Sequence, residues 1–458
     1  MNVRVLPSVL KTEATIATIP GDKSMSHRAI LLGSLAQGTS TFTNFLMSED
    51  CLHTMAIFRH LGVMIEHTPG VGSLAKVKIH GKGIGGLKAY SGVLDAGNSG
   101  TGIRLITGVL AGLPFTSRIA GDASIAKRPM MRVIDPLSQM GATITGVSSD
   151  AKLGELFPPL TIAGTQKSGP LKPIFYRLPV ASAQVKSAVL FAALFCQEPT
   201  TIEEPKPTRD HTEKMMRLFG ADITVTPGAT GKQITCSGKN PLHAPLQPWR
   251  IPSDISSAAF LMVLAMIRPD TVAWQLNHVG LNPTRSAILG VLEAMCGELE
   301  TKAVANAAGT EPADTVIARG SELFNIVVPE HLMPNLIDEI PILAVAAMFA
   351  KDTLVVRGAK ELRVKESDRI ATIVAMVRAF GGEITEFEDG FELKGETEFK
   401  SGAVIESFGD HRIAMSAIVA ALGAGVEVTV RDCDCIATSF PNFFEVIAAV
   451  GARVEQLP

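Results

Sequence analysis

Apolar runs and polar joints alternate along this chain in an order that returns six times. Each unit opens with a polar or charged loop and continues into an apolar, helix-like run. A Gly/Pro-punctuated segment with short β-prone stretches then leads to a second helix-like run. The first runs cover 26–38, 100–113, 182–196, 254–267, 338–350 and 410–424. They carry Ala, Leu, Ile and Val on more than one face, which predicts helices buried on several sides. The second runs, 51–61, 128–140, 210–219, 283–296, 366–380 and 439–450, are more amphipathic and belong nearer solvent. Ser26, Thr101, Ser182, Asp254, Asp338 and Asp410 stand where the first runs begin, as N-caps would. VTVR at 428–431, TLVVR at 353–357 and STFTNF at 40–45 are strand candidates between the two helices.

Every unit closes on a short Gly phrase followed by β-prone residues: LGVMI, MGATI, FGADI, CGELE, FGGEI and VGARV. Their glycines (Gly62, Gly141, Gly220, Gly297, Gly381, Gly451) lie 79, 79, 77, 84 and 70 residues apart. That period exceeds the roughly 20 to 50 residues of a helix-pair solenoid, so each unit is a small βαβα-type subdomain. The segment 238–252, GKNPLHAPLQPWRIP, holds four prolines and suits neither a helix nor a central strand. It leaves three units on each side, which predicts two equal lobes. The first 19 residues can pair with either lobe.

A chain of 458 residues exceeds one ordinary core. With 46% hydrophobic residues but only 5% aromatic, its cores must be aliphatic. A net charge of −3 argues against nucleic acid or an anionic membrane as a bulk partner, but leaves room for a small anion on a local cation cluster. MNVRVLPSVL lacks a long apolar signal-peptide core, and no apolar run reaches the roughly 18 residues of a spanning helix. Cys51, Cys196, Cys236, Cys296, Cys433 and Cys435 lack metal-ligand spacing; Cys433 and Cys435 are expected to alternate on a strand as buried thiols. A reducing cytoplasm and a monomeric chain are the expectations.

The polar joints carry the chemistry. In PGDKSMSHRA, a helix starting near Lys23 or Ser24 places Ser24 and Arg28 one turn apart, with Lys23 beside them. A cation, a hydroxyl and a guanidinium at a helix N-terminus suit phosphate, although a solvated, capped first turn reads the same way. RVKESDR repeats the theme, with Lys365 and Arg369 at i and i+4 and Glu366 between them. KRP offers Arg128, GDHR offers His411 and Arg412, and RDH offers Arg209. Their recurrence at equivalent joints points to one multiply anionic ligand between the lobes. Asp338 and Glu366 stand against these cations, as a cap and a neutralising partner or as proton-transfer groups. Gly97 and Gly100 in LDAGNSGTGIR allow close backbone approach to an anion. No GxxxxGK[ST] or HExxH is present, so neither a P-loop nucleotide site nor a metal is expected.

The phrases PGDKSMSHRA, GNSGTGIR, GDASIAKRPM, SAQVKSA, RDHTEKM, NPTR, LRVKESDR, GDHRIAMS and IATSFP span all six units. In these the chain resembles the enolpyruvyl transferases, specifically the second class of the branch acting on 3-phosphoshikimate. The resemblance implies an α/β fold of two inside-out α/β barrels, each of three βαβαββ-like units. The first lobe would be 20–245; the second, 1–19 and 246–458. It implies 3-phosphoshikimate and phosphoenolpyruvate as substrates, addition–elimination as the reaction, and no cofactor. By position, Lys23 would lie between the substrates. Ser24, Arg28, Ser182, Ala183, Gln184 and Arg209 would hold 3-phosphoshikimate. Arg128, Arg369 and Arg412 would grip phosphoenolpyruvate, with Gly100 at the wall and His411 close by, and Lys365 is a further substrate-binding candidate. Asp338 would contact the attacking 5-hydroxyl and Glu366 would move a proton.

Two alternatives stand beside this reading. The branch using UDP-N-acetylglucosamine carries a Cys where this chain has Ala123, and Asn where it has Ser24. A non-catalytic anion binder on the same scaffold would gain nothing from Asp338 and Glu366. Thr438 stands where the first class has a basic residue, so no lysine role transfers there. Members of the second class often tolerate glyphosate, with Ala at the position of Gly100; glycine here implies more sensitivity than the class suggests.

Overall fold

The computed structural model describes residues 1–70, 74–149, 153–303 and 311–457. Six small sheets carry one strand plan. In the second unit, Val93–Asp95 runs parallel to Ser117–Ala120, which is antiparallel to Leu156–Ile162, which is antiparallel to Ile144–Ser148. Four other sheets repeat this order. The fifth unit has three strands, and two isolated parallel bridges, Phe324 to Lys351 and Val327 to Val355, mark the place of the fourth.

The chain ends explain how each lobe closes. Asn2–Leu6 lies between Val428–Arg431 and Arg453–Leu457, and Glu13–Ile16 runs parallel to Ala273–Gly280, so the N-terminal segment completes second-lobe sheets. Trp249–Arg250 runs parallel to Gln37–Leu46 and completes a first-lobe sheet before the chain crosses. Two hydrophobic cores result: one takes in Met25 through Ile251, the other Val3 through Ile19 and Ile255 through Ala452.

Each core is built on three helices: Lys23–Leu35, Gly100–Ala111 and Ala183–Ala193 in the first lobe, and Ile255–Met266, Ile340–Phe349 and His411–Ala424 in the second. All twelve residues of Ile255–Met266 are buried, as its lack of a polar stripe predicts. A methyl on Gly108 would meet the Ala188 carbonyl oxygen at 2.2 Å, so this glycine permits the close approach of two first-lobe helices. The outer helices, such as Glu49–His60 and Arg369–Ala379, bury one side only.

Three expected caps shift. Ser182, Asp254 and Asp410 cap their helices through their side chains; elsewhere the cap is Asp22 rather than Ser26, Ser99 rather than Thr101, and Glu339 rather than Asp338. Cys433 and Cys435 lie on a 3₁₀ turn, Cys433–Thr438, because Asp432 at φ 58° bends the chain out of the preceding strand.

Candidate active site

The starts of the core helices are tied together at the lobe junction. The Lys23 amide donates to Asp254 Oδ2 (3.1 Å), Gln184 Nε2 to Thr101 Oγ1 (3.0 Å) and Arg28 Nη2 to Ser187 Oγ (2.8 Å). Helix N-termini favour anions, and those of Lys23–Leu35 and His411–Ala424 open on one cleft between the lobes. The cleft encloses about 550 Å³ and is lined from the first lobe by Lys23, Asp50 and Gly97, and from the second by Glu366, His411 and Thr438.

Asp338 is the first node. One carboxylate oxygen accepts from Arg209 Nη2 across the lobes; the other faces Arg369 Nη1 at 3.3 Å and Lys365 Nζ at 3.6 Å. Its backbone carbonyl accepts from Arg412 Nη1 (2.7 Å). Burial alone would raise its pKa, but Lys365, Arg412, Arg209 and Arg369 hold it well below the usual carboxylate range. Because Asp338 sits in the turn before Ile340–Phe349, its side chain is free of capping duty.

Glu366 is the second node. Its Oε2 accepts from Arg369 Nη2 (2.6 Å) and its Oε1 lies 3.6 Å from Arg128 Nη2 of the other lobe. Burial opposes the charge, yet Arg369, Arg128, His411 and Lys23 keep it well below its ordinary value. Arg369, 1% exposed, also donates to Asp410 from Nε (2.7 Å) and so is clamped by three carboxylates. Lys365 and Arg369 do not share a helix face: Lys365 ends a 3₁₀ turn and Arg369 begins the next helix. They meet at Asp338 instead.

Lys23 Nζ pairs with Asp50 (3.0 Å); burial would lower its pKa, but Asp50 and Glu366 raise it, so the ammonium persists. His411 opens its helix with Nδ1 3.4 Å from Thr438 Oγ1, while its buried Nε2 has no protein partner. Burial, then Lys23 and Arg412, push its pKa down to about 3, leaving it neutral. Arg28 is 2% exposed, donating to the Ser24 carbonyl (2.8 Å), Thr212 (2.6 Å) and Ser187 (2.8 Å). Ser182 caps its helix by accepting from Val185 N (3.4 Å), and Ala183 follows as the first helical residue.

Several participants escaped the sequence reading. Arg104 donates to Gln184 Oε1 (2.6 Å) beside Gly100, fixing the amide's orientation. Asp50 and Glu339 hold Lys23 and Arg412, and Asp410, expected only as a cap, also holds Arg369. Arg104 stands inside the quoted phrase GNSGTGIR and was within reach of that reading. The acids are separated from their partners by 27 to 73 residues, and no local spacing announces them.

Among the described residues, no single helix is long and apolar enough to cross a membrane. The structure is similar to a solved EPSP synthase from Acinetobacter baumannii, with a TM-score of 0.84, 41% identity, and coverage of 99% of this chain and 100% of that one. The enolpyruvyl transferase NikO from Streptomyces tendae shares the fold (TM-score 0.75) at 15% identity. Among curated relatives, 3-phosphoshikimate 1-carboxyvinyltransferase of Desulforamulus reducens is 45% identical over 97% of this chain and 99% of its own length. The protein of that name from Desulforudis audaxviator is 47% identical, over 93% and 94%. The family model for EPSP synthase (3-phosphoshikimate 1-carboxyvinyltransferase) matches residues 9–447, and the chain belongs to that family.

Proposed function

We propose that the chain transfers the enolpyruvyl group of phosphoenolpyruvate to the 5-hydroxyl of 3-phosphoshikimate and releases phosphate. The observation that carries this reading is the meeting of cations from both lobes on two carboxylates, Asp338 and Glu366. Guanidinium forks match carboxylate and phosphate geometry, and an enclosed cleft strengthens each contact. An anion-binding site without chemistry would be weakened by both acids.

In the proposed step the 5-hydroxyl gives up its proton and attacks C2 of phosphoenolpyruvate while the methylene carbon takes up a proton. The methyl carbon of the tetrahedral adduct then gives its proton back as the C–O bond to phosphate breaks, which restores the carbon–carbon double bond and releases phosphate. Asp338 receives the hydroxyl proton. Arriving anions draw Arg209 and its neighbouring cations away from that carboxylate, which raises its proton affinity when the substrate is in place. Glu366 answers phosphoenolpyruvate in the same way through Arg128, and Lys23 stands as an ammonium beside it. Ser24, Arg28, Ser182, Ala183, Gln184 and Arg209 are assigned to 3-phosphoshikimate. Arg128, Arg369, Arg412, His411 and Gly100 are assigned to the donor side, and Lys365, beside Asp338, is assigned to substrate binding.

We further place the chain in the cytoplasm as a monomer, with its lobes divided as 20–245 against 1–19 and 246–458. Phosphate release from phosphoenolpyruvate decides the substrate reading. Release with 3-phosphoshikimate and none with UDP-N-acetylglucosamine supports it; the reverse pattern, or release with neither, overturns it.

A further inference from the structure

The turn Asn282–Pro283–Thr284–Arg285 belongs to the second lobe, yet its two polar ends grip first-lobe helix starts. Asn282 Nδ2 donates to Asp210 Oδ1 (2.6 Å) and Glu311 Oε2 (2.7 Å), while its Oδ1 accepts from the Thr284 amide (2.9 Å) and hydroxyl (2.7 Å). Both amide protons and the carbonyl are therefore used. Asp210 is the N-cap residue of helix His211–Leu218 and the neighbour of Arg209, and His211 Nδ1 lies 2.7 Å from Glu311 Oε1. Three consecutive first-lobe residues thus bond to the second lobe: Arg209 to Asp338, Asp210 to Asn282 and His211 to Glu311.

Arg285, 3% exposed, works at the other end. Its Nη1 donates to Asp22 (2.9 Å), and its Nη2 to Asp254 (3.2 Å) and Ser256 (2.8 Å). Asp22 caps the first-lobe helix that begins with Lys23; Asp254 caps the second-lobe helix Ile255–Met266 and accepts the Lys23 amide. One planar fork therefore joins a cap of each lobe, where two buried carboxylates would otherwise repel. Ser256 extends the connection to Glu339, which lies 3.8 Å from Arg412.

We propose that this turn is a yoke between the lobes. Asn282 and Arg285 are positioning residues that set Arg209 and Lys23, respectively, against Asp338 and Glu366. The kinetic side of this inference rests on the substrate reading above, while the geometric side does not. A reacting group misplaced by about 1 Å can cost on the order of 100-fold in rate. A lysine at 285 keeps the charge but, as a point donor, cannot span both caps.

The full-length chain is compared with Asn282→Ala and Arg285→Lys by steady-state kinetics and amide hydrogen exchange. Arg285→Lys is expected to lower kcat by on the order of 100-fold with KM values near wild type, and to speed exchange at 23–28. Asn282→Ala is expected to raise KM for 3-phosphoshikimate more than for phosphoenolpyruvate, and to speed exchange at 209–213. Wild-type kcat and KM with only a lowered melting temperature, or exchange rising evenly over the chain, overturns the yoke. If the unsubstituted chain turns over neither substrate pair, the substrate reading falls and the exchange pattern alone decides. Asn282→Ala removes no charge and decides the matter where Arg285→Lys does not fold.

Discussion

Arg209 of the first lobe donates to the Asp338 carboxylate of the second, so an ion pair already spans the cleft that the proposed substrates would enter. Those anions must take over its guanidinium. Asp338→Ala should leave Arg209, Lys365, Arg369 and Arg412 with less opposing charge, so KM for anionic substrates should not rise. The rate should fall by roughly 10²-fold or more, as for loss of a general acid–base group. Turnover measured by phosphate release checks both parts, and near-native turnover would remove Asp338 from the chemistry.

Arg28 behaves differently, because it is buried and gives three of its five N–H donors to Ser24, Thr212 and Ser187. Burial lowers its pKa to about 10, well within the charged range at neutral pH. Arg28→Ala would leave buried hydroxyls without their donor, at a cost of about 1–3 kcal/mol. The midpoint of urea unfolding should drop along with substrate affinity. Unchanged stability with lost affinity would make Arg28 a pure ligand group.

How much of this was legible follows from the range of each interaction. The closing glycines were readable because a helix end is local. Gly62, Gly141, Gly220, Gly381 and Gly451 all have φ between 79° and 101°, the left-handed region that ends a helix at low cost. The fourth unit departs: Cys296, one residue before Gly297, takes φ 66° instead. The polar joints were readable as cation-rich helix starts, and the family phrases ran through all six. Partnerships were not readable. Arg104 meets Gln184 from 80 residues away, and Arg209 meets Asp338 from 129. Even the adjacent pair Lys365 and Arg369 converges for a reason unlike the helical spacing, since the chain turns between them.

Acid should weaken the fold through three histidines. Burial, the first cause in each, holds His27 and His278 down to about 4 and His411 to about 3, against an ordinary 6.5. Between those values the unfolded chain binds protons that the native chain refuses, so stability falls as pH drops from about 6.5 toward 4. Asp338 and Glu366, whose pKa values are depressed, add their own loss only at lower pH, as each is forced to protonate. His27 is bonded at both ring nitrogens, to Thr54 (2.8 Å) and Ser99 (3.2 Å). Urea midpoints at about pH 7.5 and about pH 5 should differ, and His27→Gln should narrow the difference. An equal difference in the variant would exonerate His27.

Gly100 touches the last question, the fit of a phosphonate competitor. A methyl built there would lie 2.5 Å from Arg128 Nη1 and 3.4 Å from Arg104 Nη1. It would therefore act by pushing the guanidinium aside as well as by narrowing the wall. Arg128 can yield, because among the described residues its guanidinium is held by long contacts, to Glu366 at 3.6 Å and Ser124 at 3.5 Å. Phosphoenolpyruvate, the shorter ligand, can follow a displaced Arg128 toward Glu366. On the proposed site assignment, glyphosate, the longer ligand, would meet the methyl directly. Gly100→Ala should then raise the inhibition constant for glyphosate more than the KM for phosphoenolpyruvate, with a small rise in the latter from the moved arginine. Inhibition constants for the two proteins decide it: equal values would assign the pocket's discrimination to other residues.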